Sequence, residues 1–204
     1  MSRKLGRRFF NRPTIKVARD LLGCYLVRKI GNKVIRVRIT ETEGYIGPND
    51  RASHASRGRT PRTKIMFGNP GYFYIYLIYG MYYCLNVVTE KRGFPAAVLI
   101  RAVTLKNNNG AFCPRWDKKP AGDFGAKITK TDGPGKLCRY FKVDKSLNNK
   151  DSVTSQQLWF EGGKLLRTER IMSGKRIGVS YAGVWQHKPW RFYIKIRLSK
   201  RRAH

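Results

Sequence analysis

The segment Glu41-Thr42-Glu43-Gly44-Tyr45 sets two carboxylates and a phenol at alternate positions, at the end of a strand whose earlier alternate residues, Ile35, Val37 and Ile39, are apolar. Successive strand side chains face opposite ways, so without a bulge the apolar side runs on into Glu41, Glu43 and Tyr45. An ionised carboxylate withdrawn from water needs partners. Held beside a substrate, it can take a proton from water and stabilise developing positive charge. Two carboxylates about 7 Å apart along a strand also suggest the acid–base pair of a sugar hydrolase. One strand, however, presents both to the same side of a substrate, where inversion needs opposite sides. Glu41 therefore reads as structural, bonded to an arginine or a neighbouring loop.

The chain carries 43 Lys+Arg against 12 Asp+Glu, a formal net charge of +31 spread along its whole length. Such a surface gains from a polyanion, and nucleic acid is the natural partner. Against that background four more residues stand out. Arg101, inside the apolar run VLIRAV, must satisfy its charge, and Glu43 is available. Asn86, in an apolar strand, either reads a base edge or bonds to backbone. Tyr79, beside Gly80 at a turn, either packs on a neighbouring loop or wedges between bases and fills the space of an extruded nucleotide. His54 stacks on a base or caps a turn. In DGPGK, a helix start near Lys136 offers a phosphate site or only a helix-initiating turn.

The elements that must position these residues follow from periodicity and turn residues. Residues 14–23 read as a helix capped by Thr14 and ended by Gly23. Strands over 24–30 and 33–43 flank a tight Gly31-Asn32 turn. Aromatic, β-branched strands over 72–78 and 82–88 are joined through Tyr79-Gly80-Met81. A three-residue loop there pairs 78 with 82, 76 with 84 and 74 with 86, placing Asn86 on the face of Tyr76; a two-residue turn would separate them. A strand over 96–103, a long mobile loop over 104–131, a short helix with Pro134 near its start, and closing strands and turns complete the chain. No internal repeat is visible, so residues 1–204 read as one mixed α+β domain.

The cysteines, Cys24, Cys84, Cys113 and Cys138, are widely spaced, and His54, His187 and His204 supply no zinc spacing. Neither a metal nor a cofactor is expected. The N-terminus lacks the apolar core of a signal peptide, and the longest apolar run is tyrosine-rich and broken by Gly80. A cytoplasmic protein without a membrane span is expected.

The blocks ETEGYIGPNDRASHA, MFGNPGYFYIYLIYGMYYCLNVV, VLIRAV, DGPGKLC and RIGVSYAGVWQHKPWRFY, in that order, closely resemble the alkyladenine (3-methyladenine) DNA glycosylase family, in its compact bacterial form. The similarity runs from about residue 9 to 195, excepting the 104–131 loop. It implies a fold built on a curved antiparallel sheet with short helices and a protruding β-hairpin. It also implies monofunctional, cofactor-free hydrolysis of the N-glycosidic bond of alkylated or deaminated purines in double-stranded DNA. A monomer at the bacterial nucleoid is the matching expectation. Carried onto this chain, the water-activating glutamate is Glu43, with Arg101 beside the water and the backbone carbonyl of Ile177 near it. Tyr45, His54 and Tyr76 match the rings that sandwich the flipped base, and Asn86 the asparagine that disfavours guanine. Tyr79 matches the intercalating tyrosine, with Met81 and Tyr82 at DNA-contacting positions. Gly44 stands where the family commonly has Ala, and the loop after His54 is shorter than in mammalian members. Two rival readings are a non-catalytic RNA- or ribosome-binding protein, which the charge favours, and a lyase-type glycosylase using a Lys amine.

Overall fold

A computed structural model describes residues 3–104, 131 and 133–196. Its strands are β1 (Tyr25–Ile30), β2 (Lys33–Ile46), β3 (Phe73–Ile78), β4 (Tyr82–Val88), β5 (Ala96–Thr104), β6 (Leu158–Glu161), β7 (Glu169–Gly174) and β8 (Arg191–Ile196). The helices are short: α1 (Arg7–Phe10), α2 (Thr14–Asp20) and α3 (Pro134–Tyr140), with 3₁₀ turns at His54–Arg57, Lys64–Phe67, Lys145–Leu147 and Ser180–His187. The strands form one curled antiparallel sheet in the order β3-β4-β5-β2-β1-β6, with β8 joined to β2 and β7 to β8. The fold is therefore α+β. β2 is the spine: β5 lies along one edge, while β1 and then β8 share the other.

Local expectations hold where local chemistry governs. Ile30 pairs with Lys33 across the two-residue turn, with Gly31 supplying a positive φ of 53°. In the β3–β4 hairpin Tyr74 faces Asn86, Tyr76 faces Cys84 and Ile78 faces Tyr82, the register of a three-residue loop. The helix is shorter than expected, and Thr14 is not its cap. Pro13 holds the cap position, and Thr14 donates through its amide and its hydroxyl to Glu90 Oε1, at 2.7 and 2.8 Å. β6 and β7 were not evident from pattern, being a four-residue strand (LWFE) and a mixed one (ERIMSG); they pair with β1 and β8. Most of the expected 104–131 loop lies outside the described residues.

The main core fills one face of the sheet, where Ile35, Val37, Ile39, Phe73, Ile75, Leu85, Val87, Val98 and Ile100 pack with Val17 and Leu21 of α2 and Leu137 of α3. The continuation of β2 departs from simple alternation. Its pairing with β5 slips between Ile39 and Thr42, leaving Thr40 as an extra residue on β2 and Arg101 as one on β5. Beyond this irregularity Thr42 donates its hydroxyl to Ala18 O of α2, and a Cβ on Gly44 would lie 3.2 Å from Ile15 Cδ1. Thr42 and Gly44 thus face the main core. Glu41, Glu43 and Tyr45 face the opposite side, away from Ile35, Val37 and Ile39, which corrects the uninterrupted face read from the sequence. That opposite side is where Tyr74, Val88 and Ala97 form a second apolar cluster.

Candidate active site

The bulged β2–β5 pair and the β3–β4 hairpin supply the floor and one wall of a cavity of about 360 Å³. Tyr45, His54, Tyr74, Tyr76, Asn86, Arg101, Ile177 and Tyr79 all border it. Glu43 lies one layer behind. It is fully buried, with 0 % of its surface exposed. Its Oε2 accepts the Tyr45 hydroxyl at 2.8 Å, its Oε1 accepts the Ile177 amide at 2.9 Å, and Arg101 Nη1 stands 3.5 Å from Oε1. All three partners border the cavity, so the carboxylate sits directly behind their contacts. A carboxylate has about four acceptor sites, and two are filled, leaving capacity for a water. Burial pushes the Glu43 pKa above its ordinary value. Arg101, the Ile177 amide and the Tyr45 hydroxyl pull the other way, and Glu41 adds to the rise.

Glu41 has the structural environment expected of it. Its Oε1 accepts from Arg101 Nε at 3.1 Å and from Arg191 Nη1 at 3.0 Å. Arg101 therefore bridges both carboxylates and lies closer to Glu41, so its guanidinium is fixed in place while its contact with Glu43 stays loose.

His54 and Tyr76 touch edge to face, with ring centroids 4.5 Å apart and planes at 70°. The two rings are in contact and leave no gap between them; they form one wall of the cavity, which Tyr45 also lines. His54 Nδ1 also meets the Tyr74 hydroxyl at 2.9 Å. Burial, then the charges of Arg62 and Arg57, lower the His54 pKa to about 4, so the imidazole is neutral at neutral pH. The turn it begins is capped by Ser53, which accepts from Ala55 N–H. Asn86 is buried and donates from Nδ2 to Tyr74 O at 3.1 Å. It thus makes the backbone bond of the plainer reading while still bordering the cavity.

At the cavity mouth Tyr79 is 83 % exposed, and its φ of 51° is a left-handed conformation that aromatic residues rarely adopt. Met81 and Tyr82 beside it are also exposed, and a Cβ on Gly135 would lie 3.1 Å from the Tyr82 ring, so that ring leans on α3. Lys136 follows on the exposed side of the same helix. α3 starts at Pro134, which also lines the cavity.

Residues that sequence reasoning passed over also shape the site. Arg62 lies 5.1 Å over the Tyr76 ring, and Tyr181 closes another part of the rim. Arg176 and Asp50 form a fully buried, two-pronged ion pair behind Tyr45. The signal for that pair was faint: Asp50 is one of only 12 acidic residues, in a loop opposite an unassigned arginine in RIGV. Among the described residues no group of three His, Cys, Asp or Glu is disposed to hold a metal.

Residues 8–197 match the family model for methylpurine-DNA glycosylase (MPG). A protein of Methanocella arvoryzae named "Putative 3-methyladenine DNA glycosylase" is 47 % identical over 195 residues, covering 94 % of this chain and 92 % of that protein. Proteins of the same name from Alkaliphilus oremlandii and Desulfitobacterium hafniense are 46 % and 41 % identical, each aligned over 96 % of its own length and 94 % and 95 % of this chain. The chain belongs to the methylpurine-DNA glycosylase family, and DNA is the partner that membership implies.

Proposed function

We propose that this protein extrudes damaged purines from duplex DNA and hydrolyses their N-glycosidic bond, with Glu43 activating the water and an abasic site as product. The observation that carries the reading is the environment of Glu43: a fully buried carboxylate held by the Ile177 amide, the Tyr45 hydroxyl and Arg101, behind an aromatic cavity.

Extruding a base costs a few kcal/mol, least for a damaged or mispaired one. Stacking on aromatic rings returns roughly 1–3 kcal/mol per base. Tyr45 on one side, with His54 and Tyr76 on the other, offsets the cost of extrusion. Tyr79, exposed on the β3–β4 turn, fills the gap in the duplex, with Met81, Tyr82 and Lys136 against the flanking strand. Breaking the bond from C1′ to the purine builds positive charge on the sugar. Glu43 stabilises that charge and accepts a proton from water entering between Arg101 and Ile177, whose carbonyl helps to orient it. Arg101 and the two hydrogen-bond donors favour the ionised carboxylate. A neutral His54 adds no charge repulsion against cationic N3- or N7-alkylated purines, which already leave readily. Asn86, its amide fixed by Tyr74 O, opposes the 2-amino group of guanine.

Cys24, Cys84 and Cys138 are free and buried, which suits the reducing cytoplasm. No described helix is long and apolar enough to cross a membrane. Glu43→Gln tests the reading. It should lower single-turnover excision of 3-methyladenine, 7-methylguanine, hypoxanthine and ethenoadenine by ~10²–10⁴-fold, while duplex binding survives. Retained excision ends the assignment. Among the described residues no lysine borders the cavity, and borohydride should trap no covalent DNA adduct.

A further inference from the structure

Arg176 joins three segments that sequence alone does not connect. Its side chain and that of Asp50 are both 0 % exposed. Nη1 donates to Asp50 Oδ2 at 2.5 Å and Nη2 to Asp50 Oδ1 at 2.8 Å. Nη1 also donates to Gly44 O at 3.0 Å, between Glu43 and Tyr45 on β2, and Nη2 to Trp185 O at 3.1 Å. The guanidinium lies 4.9 Å over the Tyr45 ring and 5.0 Å over that of Trp190. Asp50 in turn accepts the amides of Ile46 and Ala52, which fixes the loop leading to His54. The residue after Arg176 is Ile177, whose amide reaches Glu43 although the residue is 48 % exposed. Side-chain packing of Ile177 therefore does not place that amide.

We infer that Arg176 and Asp50 are positioning residues for base excision. Their ion pair holds the Ile177 amide against Glu43 and braces the back of the Tyr45 wall. The inference rests on Glu43 acting as the base. The physical case is one of geometry against cost. A buried ion pair is weak evidence for stability, since a well-packed apolar pair of similar volume often serves as well or better. What an apolar pair cannot do is fix two backbone carbonyls, a carboxylate and an aromatic plane in one orientation through four N–H donors of one rigid fork. Arg176 uses that fork fully at its Nη atoms, and only its Nε is buried without a partner.

The groups facing Glu43 are Arg101 from β5, Glu41 and Tyr45 from β2, Tyr76 from β3, Cys84 from β4, and the Ile177 amide. Arg191 of β8 acts through Glu41. The Arg176 segment holds the Ile177 amide and backs Tyr45, so loosening that segment weakens the two hydrogen bonds that favour the ionised carboxylate.

The test is Arg176→Lys and Asp50→Asn in the full chain. Asp151→Asn, which breaks a two-pronged but partly exposed pair with Arg7 at the α1 end of the fold, serves as control. Single-turnover excision from a hypoxanthine duplex should fall on the order of 10- to 100-fold in both test variants. The acid limb of the pH–rate profile should move to higher pH, with duplex affinity within about threefold of wild type. The control should keep the wild-type limb even where its Tm falls equally. Test variants that fold but retain the wild-type rate and acid limb overturn the inference, as does an equal loss of rate in the control. Glu43→Gln, run in parallel, separates the two readings: an active Glu43→Gln removes the base itself, whereas an inactive one beside a normal Arg176→Lys removes only the positioning role. Should neither test variant fold, nitrogen-15 NMR of the wild type decides. The Ile177 amide and the Arg176 Nε–H should both shift with the midpoint of the excision acid limb, and resonances that stay still across it overturn the inference.

Discussion

Replacing Tyr79 by Asn separates the proposed wedging from folding, because the substitution should move the two in opposite directions. Tyr79 is 83 % exposed, so the fold gains little from burying its ring. Its φ of 51° lies in the left-handed region, which costs an ordinary L residue roughly 1–2 kcal/mol. Asn tolerates that region several-fold better than most residues. Relief of about 1 kcal/mol would raise Tm by roughly 2–4 °C in a chain of this size; the small packing loss brings the expected change to between no shift and that rise. Binding moves the other way. Loss of one aromatic stacking partner costs ~1–3 kcal/mol, or roughly 5- to 150-fold in affinity at 1.4 kcal/mol per tenfold. Calorimetry gives the first quantity. Fluorescence anisotropy with hypoxanthine-containing and undamaged duplexes at one fixed salt concentration gives the second, and the loss should concentrate on the lesion duplex. Lesion affinity within twofold of wild type would refute the wedge. A Tm loss of more than about 4 °C would show that the ring supports the fold.

Other substitutions probe the interior of the cavity. Asn86→Ser should relax discrimination against guanine, read as the ratio of guanine to hypoxanthine release under single-turnover conditions; an unaltered ratio removes that role. His54 has a pKa lowered to about 4 in the fold against an ordinary 6.5. The unfolded chain therefore takes up its proton first, and stability falls as pH drops from 6.5 toward 4. The Tm difference between wild type and His54→Gln should accordingly shift against wild type from pH 7 to pH 4, and a pH-independent difference contradicts the assigned burial. Glu43 has the opposite sense. Its pKa is raised in the fold, so the unfolded chain ionises first and stability falls as pH rises from the ordinary carboxylate value through the raised one. The Glu43→Gln protein should thus gain in Tm on wild type as pH rises above the ordinary carboxylate value.

The amino-acid sequence by itself determined what depends on neighbours within a few positions. The three-residue tip Tyr79-Gly80-Met81 specified the register that pairs Tyr74 with Asn86 and Tyr76 with Cys84, because side-chain facing repeats every two residues from a loop of known length. The Gly31-Asn32 hairpin and the helix at Pro134 were legible for the same reason. Ordered sequence blocks also indicated the family. Tertiary structure decided the rest. Whether Glu43 faced the main core or the cavity turned on the irregularity around Thr40 and Arg101, a property of how β2 meets β5 that neither strand displays alone. Thr14 reads as a helix cap until Glu90, remote in sequence, takes its amide and hydroxyl. Arg101 lies nearer Glu41 than Glu43, and Glu41 Oε1 also accepts from Arg191 of β8. The Arg176–Asp50 pair spans 126 positions, and a long-range ion pair leaves no periodic trace, since its partners are fixed by the closure of the sheet and not by spacing along the chain.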